Sequence, residues 1–227
     1  MGHSQDPITN KAWSSIDYQP VVSELLPTVL LPSLRRGLRA LEIGCGSGAV
    51  SLFLASHGLS VLGIDINPKA IECGRERAKP AGDAGSVKFE CADILEMSGL
   101  GRFDIVLLIR VLTCFPESSD RQRVLHLAND HVDKGGTIYL HDFVLTLENP
   151  IYADRYATGK YSGLGEGNFA VVEPSGKVLF VAHHHSRREI DEIAKPYDTI
   201  LLQHHKSLSM HGNVCNMFEF VGRKGHW

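Results

Sequence analysis

Three acidic residues stand where three short apolar runs end. Glu42 follows Leu38–Leu41, Asp65 follows Leu59–Ile64, and Asp93 closes Val87–Ala92. Each run has the residue types of a strand. Glu42 leads into Gly44-Cys45-Gly46-Ser47-Gly48, and Ala49–Ser56 is compatible with a helix. Glycines at such a turn reach backbone angles other residues avoid, and they let the chain lie against a ligand. A helix opening there directs free N–H groups toward the same place. Asp65 comes 21 residues after Gly44 (65 − 44), where a carboxylate can accept both hydroxyls of a ribose. It could instead cap the next helix. Asn67-Pro68 supplies that cap and the first helical position, which leaves Asp65 for a ligand. Acidic groups at three successive strand ends suit a ligand with a cationic centre, a ribose and an amino-purine.

Further candidates lie downstream. Phe103–Leu112 is a nearly continuous apolar strand interrupted by Arg110, which either pairs with a surface carboxylate or lines the ligand crevice. His141 and Asp142 end the strand Thr137–Val144, at the edge where open α/β sheets bind ligands. Tyr152 and Tyr156 share a helix face and are candidate substrate contacts, as is Tyr18 near the N-terminus. His183-His184-His185 precede Ser186, which forms a capping box with Glu189 and starts a helix over 187–195. Consecutive residues of a strand cannot all face one ion, and no acidic or cysteine partner has ligand spacing, so no metal is expected. His183, His184 and His141 are the candidates for a general base. The competing reading of the histidine triplet is that it shapes the mouth of the site.

The elements that must hold these residues alternate between strand and helix. Helices are expected over 49–56, 68–79 and about 119–131, the last capped by Ser118-Ser119-Asp120 and ended by Lys134-Gly135-Gly136. A helix kinked at Pro27 is expected within 8–37, with Trp13 and Tyr18 ahead of it as outer packing or a lid. A hairpin is expected over 169–181, and a second joins Asp198–Leu208 to Val214–Lys224 through 210–213. The chain has 227 residues and a formal net charge of −3, which makes no electrostatic case for nucleic acid or an anionic membrane. No apolar run can span a bilayer, and the first residues lack a signal-peptide core. The five scattered cysteines suit a reducing, cytoplasmic setting.

The series Glu42-x-Gly44-x-Gly46-x-Gly48 resembles the first motif of class I S-adenosylmethionine (SAM) dependent methyltransferases. The resemblance implies a Rossmann-like α/β fold: a seven-stranded, mostly parallel sheet with a reversed last strand. It also implies a small cap between strands five and six. The expected division is a lid over 1–37, a SAM-binding core over 38–145, a substrate cap over 146–182 and a C-terminal helix and hairpin over 183–227. By the same resemblance Glu42 lies near the methionine end and Gly44, Cys45, Gly46 and Gly48 pass beneath the cofactor. Asp93 then holds the adenine amino group with Ile94 in the ring pocket, and Asp65, Ile66 and Arg110 join the cofactor-binding candidates. Many natural-product O-methyltransferases carry a His-Asp pair where Thr113-Cys114 stand here, so that mechanism is not carried over. From Ser186 onward the layout is similar to small tellurite-resistance-type methyltransferases. The expected activity is methyl transfer from SAM to a small-molecule acceptor, leaving S-adenosylhomocysteine. The alternatives are a SAM-binding protein of another reaction type or a regulator, an NAD-dependent oxidoreductase using the loose glycine spacing, and an RNA methyltransferase. Oligomeric state is not legible.

Overall fold

The computed structural model describes residues 13–14, 30, 34–78, 86–161, 163–173, 175–209 and 212–225. The helix expected within 8–37 and the candidate Tyr18 lie outside these residues. Nine strands and five helices follow in order among the described residues: β1 (Arg39–Ile43), α1 (Ala49–Ser56), β2 (Ser60–Asp65), α2 (Pro68–Ala78), β3 (Val87–Cys91), β4 (Phe103–Ile109), α3 (Ser118–His131), β5 (Val132–Val144), α4 (Pro150–Tyr161), β6 (Asn168–Val172), β7 (Val178–His183), α5 (Arg187–Ala194), β8 (Tyr197–Leu208) and β9 (Val214–Lys224).

Seven strands form one sheet in the order β3-β2-β1-β4-β5-β9-β8. β1 to β5 pair in parallel, and β9 runs antiparallel to both neighbours. The reversed strand therefore lies between β5 and β8. β6 and β7 form a separate two-stranded antiparallel sheet. This pair and α4 form an insertion between β5 and α5 in the chain.

The central strands are apolar because both faces are covered. Leu41, Ile43, Val106, Leu108, Ile138 and Leu140 pack toward α3 and α5, joined by Phe218 and Phe220. Ala40, Ile105, Leu107 and Tyr139 pack on the opposite face with Leu54 of α1. A third cluster joins Phe143, Tyr152, Tyr156, Phe169 and Phe180, and it fastens the insertion to the ends of β5 and β9.

Several boundaries differ from the sequence reading. β4 stops at Ile109 rather than Leu112, because Arg110 turns the chain with φ of 56°. β5 starts at Val132, directly after α3, instead of at Thr137. Lys134-Gly135-Gly136 is a bulge within that strand, where the pairing jumps from Phe103↔Val132 to Ile105↔Thr137. A side chain at Gly136 would meet the Asp104 carbonyl at 2.9 Å. The cap of α3 is Glu117, without a side-chain bond, so Ser118, Ser119 and Asp120 are helical residues instead.

Candidate functional site

The glycine turn is held open by two constraints. Gly44, Gly46 and Gly48 have φ of 71°, 52° and 75°. A Cβ at Gly48 would also sit 2.2 Å from the ring of Phe89 on β3, and one at Gly44 would sit 2.5 Å from Val111. Strand-to-turn packing, and not only backbone freedom, excludes side chains here.

Asp65 at the end of β2 spans the mouth of this turn. Its Oδ2 accepts from the Gly46 N–H at 2.7 Å, and its Oδ1 accepts from the Asn67 N–H at 2.8 Å. Asn67 does cap α2, its Oδ1 accepting from the N–H groups of Lys69 and Ala70. Asp65 thus ties the glycine turn to the second strand while facing the cavity. Burial raises its pKa. Glu42 is buried to 3 % exposure and accepts from the Ser51 hydroxyl at 2.5 Å. Burial pushes its carboxyl up to about 8. Asp93 caps a short turn over 94–96, its Oδ1 accepting from the Leu95 N–H. It thus has the turn-making duty as well as a place on the cavity wall.

A continuous cavity runs from these strand ends to the insertion. Glu42, Gly44, Cys45, Asp65, Ile66, Asp93, Ile94 and Arg110 line one half. Phe143, Tyr152, Arg155, Phe169, Phe180 and His184 line the other. Gly46 and Gly48 are not on its wall; they shape the turn behind it. Trp13 reaches the cavity too. Its carbonyl accepts from Asn67 Nδ2 at 3.2 Å, and its ring lies 4.3 Å from that of Phe180, centroid to centroid.

Arg110 sits where the two halves meet. Its N–H donates to the His141 carbonyl at 2.7 Å, and its guanidinium lies 5.6 Å from the centroid of Phe143. Its left-handed backbone is the one positive φ outside glycine among the described residues. Such strain at a cavity wall is typical of ligand-binding positions. Among the described residues no carboxylate forms an ion pair with it. Arg155 lies 5.5 Å and 5.7 Å from the ring centroids of Tyr152 and Phe169.

The three histidines proposed as bases are each turned to another purpose. His141 is off the cavity; its Nε2 lies 3.3 Å from Nε2 of His205 on β8. Burial, then Arg110 and His205, lower its pKa to about 3. His183 points away from the cavity, toward Asn168 and Glu189. His184 does line the cavity, with Nδ1 2.7 Å from the Tyr156 hydroxyl, and burial holds it at about 3. Of the three candidate bases only His184 is on the cavity wall.

Asp142 is also off the cavity. It accepts from the N–H groups of Thr113 and Phe143, and burial raises it to about 7. It clips β5 to the turn after β4, where a substrate contact was expected. Tyr152 lines the cavity, whereas Tyr156 lies behind it, its ring 6.1 Å from that of Tyr152. Sequence reasoning missed Asn67, Arg155, Phe169 and Phe180 as cavity residues. Aromatic density after Pro150 was the available signal, but which aromatics face inward depends on the β6–β7 pairing.

Residues 40–136 match the family described as "Methyltransferase domain". A SAM-dependent methyltransferase of known structure from Methanosarcina mazei superposes with a TM-score of 0.81 at 27 % identity, covering 88 % of this chain and 98 % of that one. The chain is similar to class I SAM-dependent methyltransferases. The 27-O-demethylrifamycin SV methyltransferase of Amycolatopsis mediterranei is 36 % identical over 145 residues, 63 % of this chain and 51 % of that protein. The chain spans about half or less of the length of the curated relatives it matches first. TehB from Haemophilus influenzae shares the fold, with a TM-score of 0.61 at 16 % identity over 86 % of this chain and 60 % of that one. The matched stretch includes Gly44, Gly46 and Gly48, which favours the methyltransferase reading of the glycine spacing over the dinucleotide oxidoreductase one. No described helix is long and apolar enough to cross a membrane.

Proposed function

We propose that this chain binds SAM along the carboxyl ends of β1 to β4 and moves its methyl group to a small organic acceptor held under the insertion. The observation that carries the reading is the single cavity joining two kinds of wall. One half bears Glu42, Asp65 and Asp93, placed for an ammonium, a ribose and an adenine amino group. The other half is aromatic, from Phe143, Tyr152, Phe169 and Phe180, and suits a flat or apolar acceptor.

Methyl transfer from a sulfonium is an in-line displacement at an already activated carbon. The protein's share is to bring the acceptor atom to about 3 Å of that methyl in line with the leaving sulfur, and to exclude water. Arg110, at the junction of the halves, is the residue placed to orient a polar group of either ligand. None of the three candidate histidines is set up as a general base. The reading therefore assigns catalysis to positioning and takes the acceptor as a group that is nucleophilic in its bound state. Trp13 and the insertion act as the cover. The first curated relatives are named 27-O-demethylrifamycin SV methyltransferase and magnesium-protoporphyrin O-methyltransferase. These names favour a small-molecule acceptor over RNA, and the net charge of −3 agrees.

Calorimetric titration with SAM, S-adenosylhomocysteine and NAD tests the cofactor half. Both adenosyl-sulfur ligands should bind and NAD should not. Asp65→Ala should weaken both at least tenfold, the loss of about 1.4 kcal/mol expected for one charge-assisted hydrogen bond. Equal affinity in the variant would remove Asp65 from the cofactor site.

A further inference from the structure

The end of β7 and the start of α5 carry a group of side chains that the methyltransferase site does not use. His183 and His185 are two residues apart on an extended stretch, so they project to one side while His184 projects into the cavity. Ring centroids of His183 and His185 lie 4.8 Å apart. Glu189, one turn into α5, brings its Oε1 to 3.1 Å from His183 Nε2. One ligand atom from each of the three lies within 4.8 Å of the others.

Two details set this cluster apart from a buried ion pair. Both ring nitrogens of His185 are buried and have no hydrogen-bond partner among the described residues. A neutral imidazole always carries one donor and one acceptor, so such burial calls for an explanation. His183 is held by its other nitrogen: Nδ1 lies 2.7 Å from Asn168 Oδ1. Asn168 Nδ2 donates to the Pro116 and Leu164 carbonyls, which fixes the amide so that its oxygen faces the ring. That is the outer hydrogen bond usual for a metal-bound histidine, and it turns Nε2 toward Glu189 and His185. The carboxylate is supported likewise. Its Oε2 accepts from the Ser186 N–H and hydroxyl, and its Oε1 accepts from Arg121 Nη2 at 3.1 Å.

We propose that His183, His185 and Glu189 form a binding site for one divalent cation of the zinc class. Two imidazoles and a carboxylate are the donor set that borderline ions such as Zn²⁺ and Co²⁺ select over Mg²⁺ or Ca²⁺. The Glu189 side chain is 36 % exposed, so a solvent molecule can complete the shell. The guanidinium of Arg121 opposes a second positive charge and lowers the affinity the three ligands would otherwise give. The site is structural: His184, between the two ligands, is on the cavity wall, and Arg121 also holds the Phe115 and Pro116 carbonyls. An ion here would pin the insertion to α5 and to the turn after β4.

The test uses the full chain stripped with chelator and titrated with ZnCl₂ and CoCl₂, without cofactor or acceptor. The expected result is one Zn²⁺ per chain, a higher melting temperature with the metal, and visible Co²⁺ absorption of a low-coordinate nitrogen-oxygen site. His185→Phe removes the orphaned nitrogens, should fold, and should lose the Co²⁺ band and the melting shift. Glu189→Gln keeps an acceptor for Ser186 and should weaken metal binding at least tenfold; it decides the matter should His185→Phe fail to fold. No melting shift and no Co²⁺ band in the wild type would overturn the site. So would an unchanged response in both variants, since the chain has 12 histidines and exposed ones could bind metal alone.

Discussion

Glu42 offers a sharp quantitative test. In the folded chain its carboxyl stays protonated until about pH 8, chiefly because burial disfavours the anion. Its ordinary value is 4.5. Between those two values the unfolded chain has released this proton and the folded chain has not. The folded state then binds more protons, so stability must fall as pH rises. The slope for one such group is about 1.4 kcal/mol per pH unit, and the gap from 4.5 to about 8 sets a ceiling on the order of 5 kcal/mol. Asp65 and Asp142 are shifted upward too, so the wild type alone cannot isolate Glu42. Glu42→Gln can: the amide oxygen still accepts from Ser51, and nothing there ionises. Urea unfolding of both proteins at fixed ionic strength, without cofactor, should show similar stability near pH 5. The variant should gain on the wild type by up to about 1.4 kcal/mol per unit and level off above pH 8. A saturating ligand that brings an ammonium to Glu42 should flatten the wild-type curve and leave the variant's unchanged. Parallel curves from pH 5 to pH 8.5 would refute the reasoning and mean that Glu42 is ionised in the fold.

Two further outcomes follow from backbone geometry. Gly48→Ala should cost about 2–5 kcal/mol of unfolding free energy, from a left-handed alanine and its collision with Phe89, and Phe89→Leu should recover part of it in the double variant. Equal costs with and without Phe89 would show that the ring yields freely. Arg110→Gly should relieve the positive φ and raise stability by up to about 1 kcal/mol while lowering methyl transfer; calorimetry of melting and a turnover assay read the two effects separately.

Sequence by itself determined the core architecture and half the site. The alternation of apolar runs with helical patterns gives β1 to β5 and α1 to α3, because parallel strands buried on both faces must be apolar throughout. Spacing placed Glu42, Asp65 and Asp93 on one sheet edge, since strands in parallel end on the same side. The capping box of Ser186 and Glu189 was legible because both partners lie within one helical turn, and both of its bonds form. What the sequence left undecided is contact across long separations. Whether His183, His184 or His141 meets a ligand depends on which side each strand presents, and one residue reverses it. Phe89 stands 41 residues from Gly48 (89 − 48), yet it is what forbids a side chain there. Arg155, Phe169 and Phe180 reach the cavity only because the β6–β7 pair folds back over β5. In the sequence Glu189 is legible only as a cap. Its second role, facing His183 and His185 with Arg121 behind it, arises where a strand end, a helix start and a distant helix meet. No local pattern encodes such a junction.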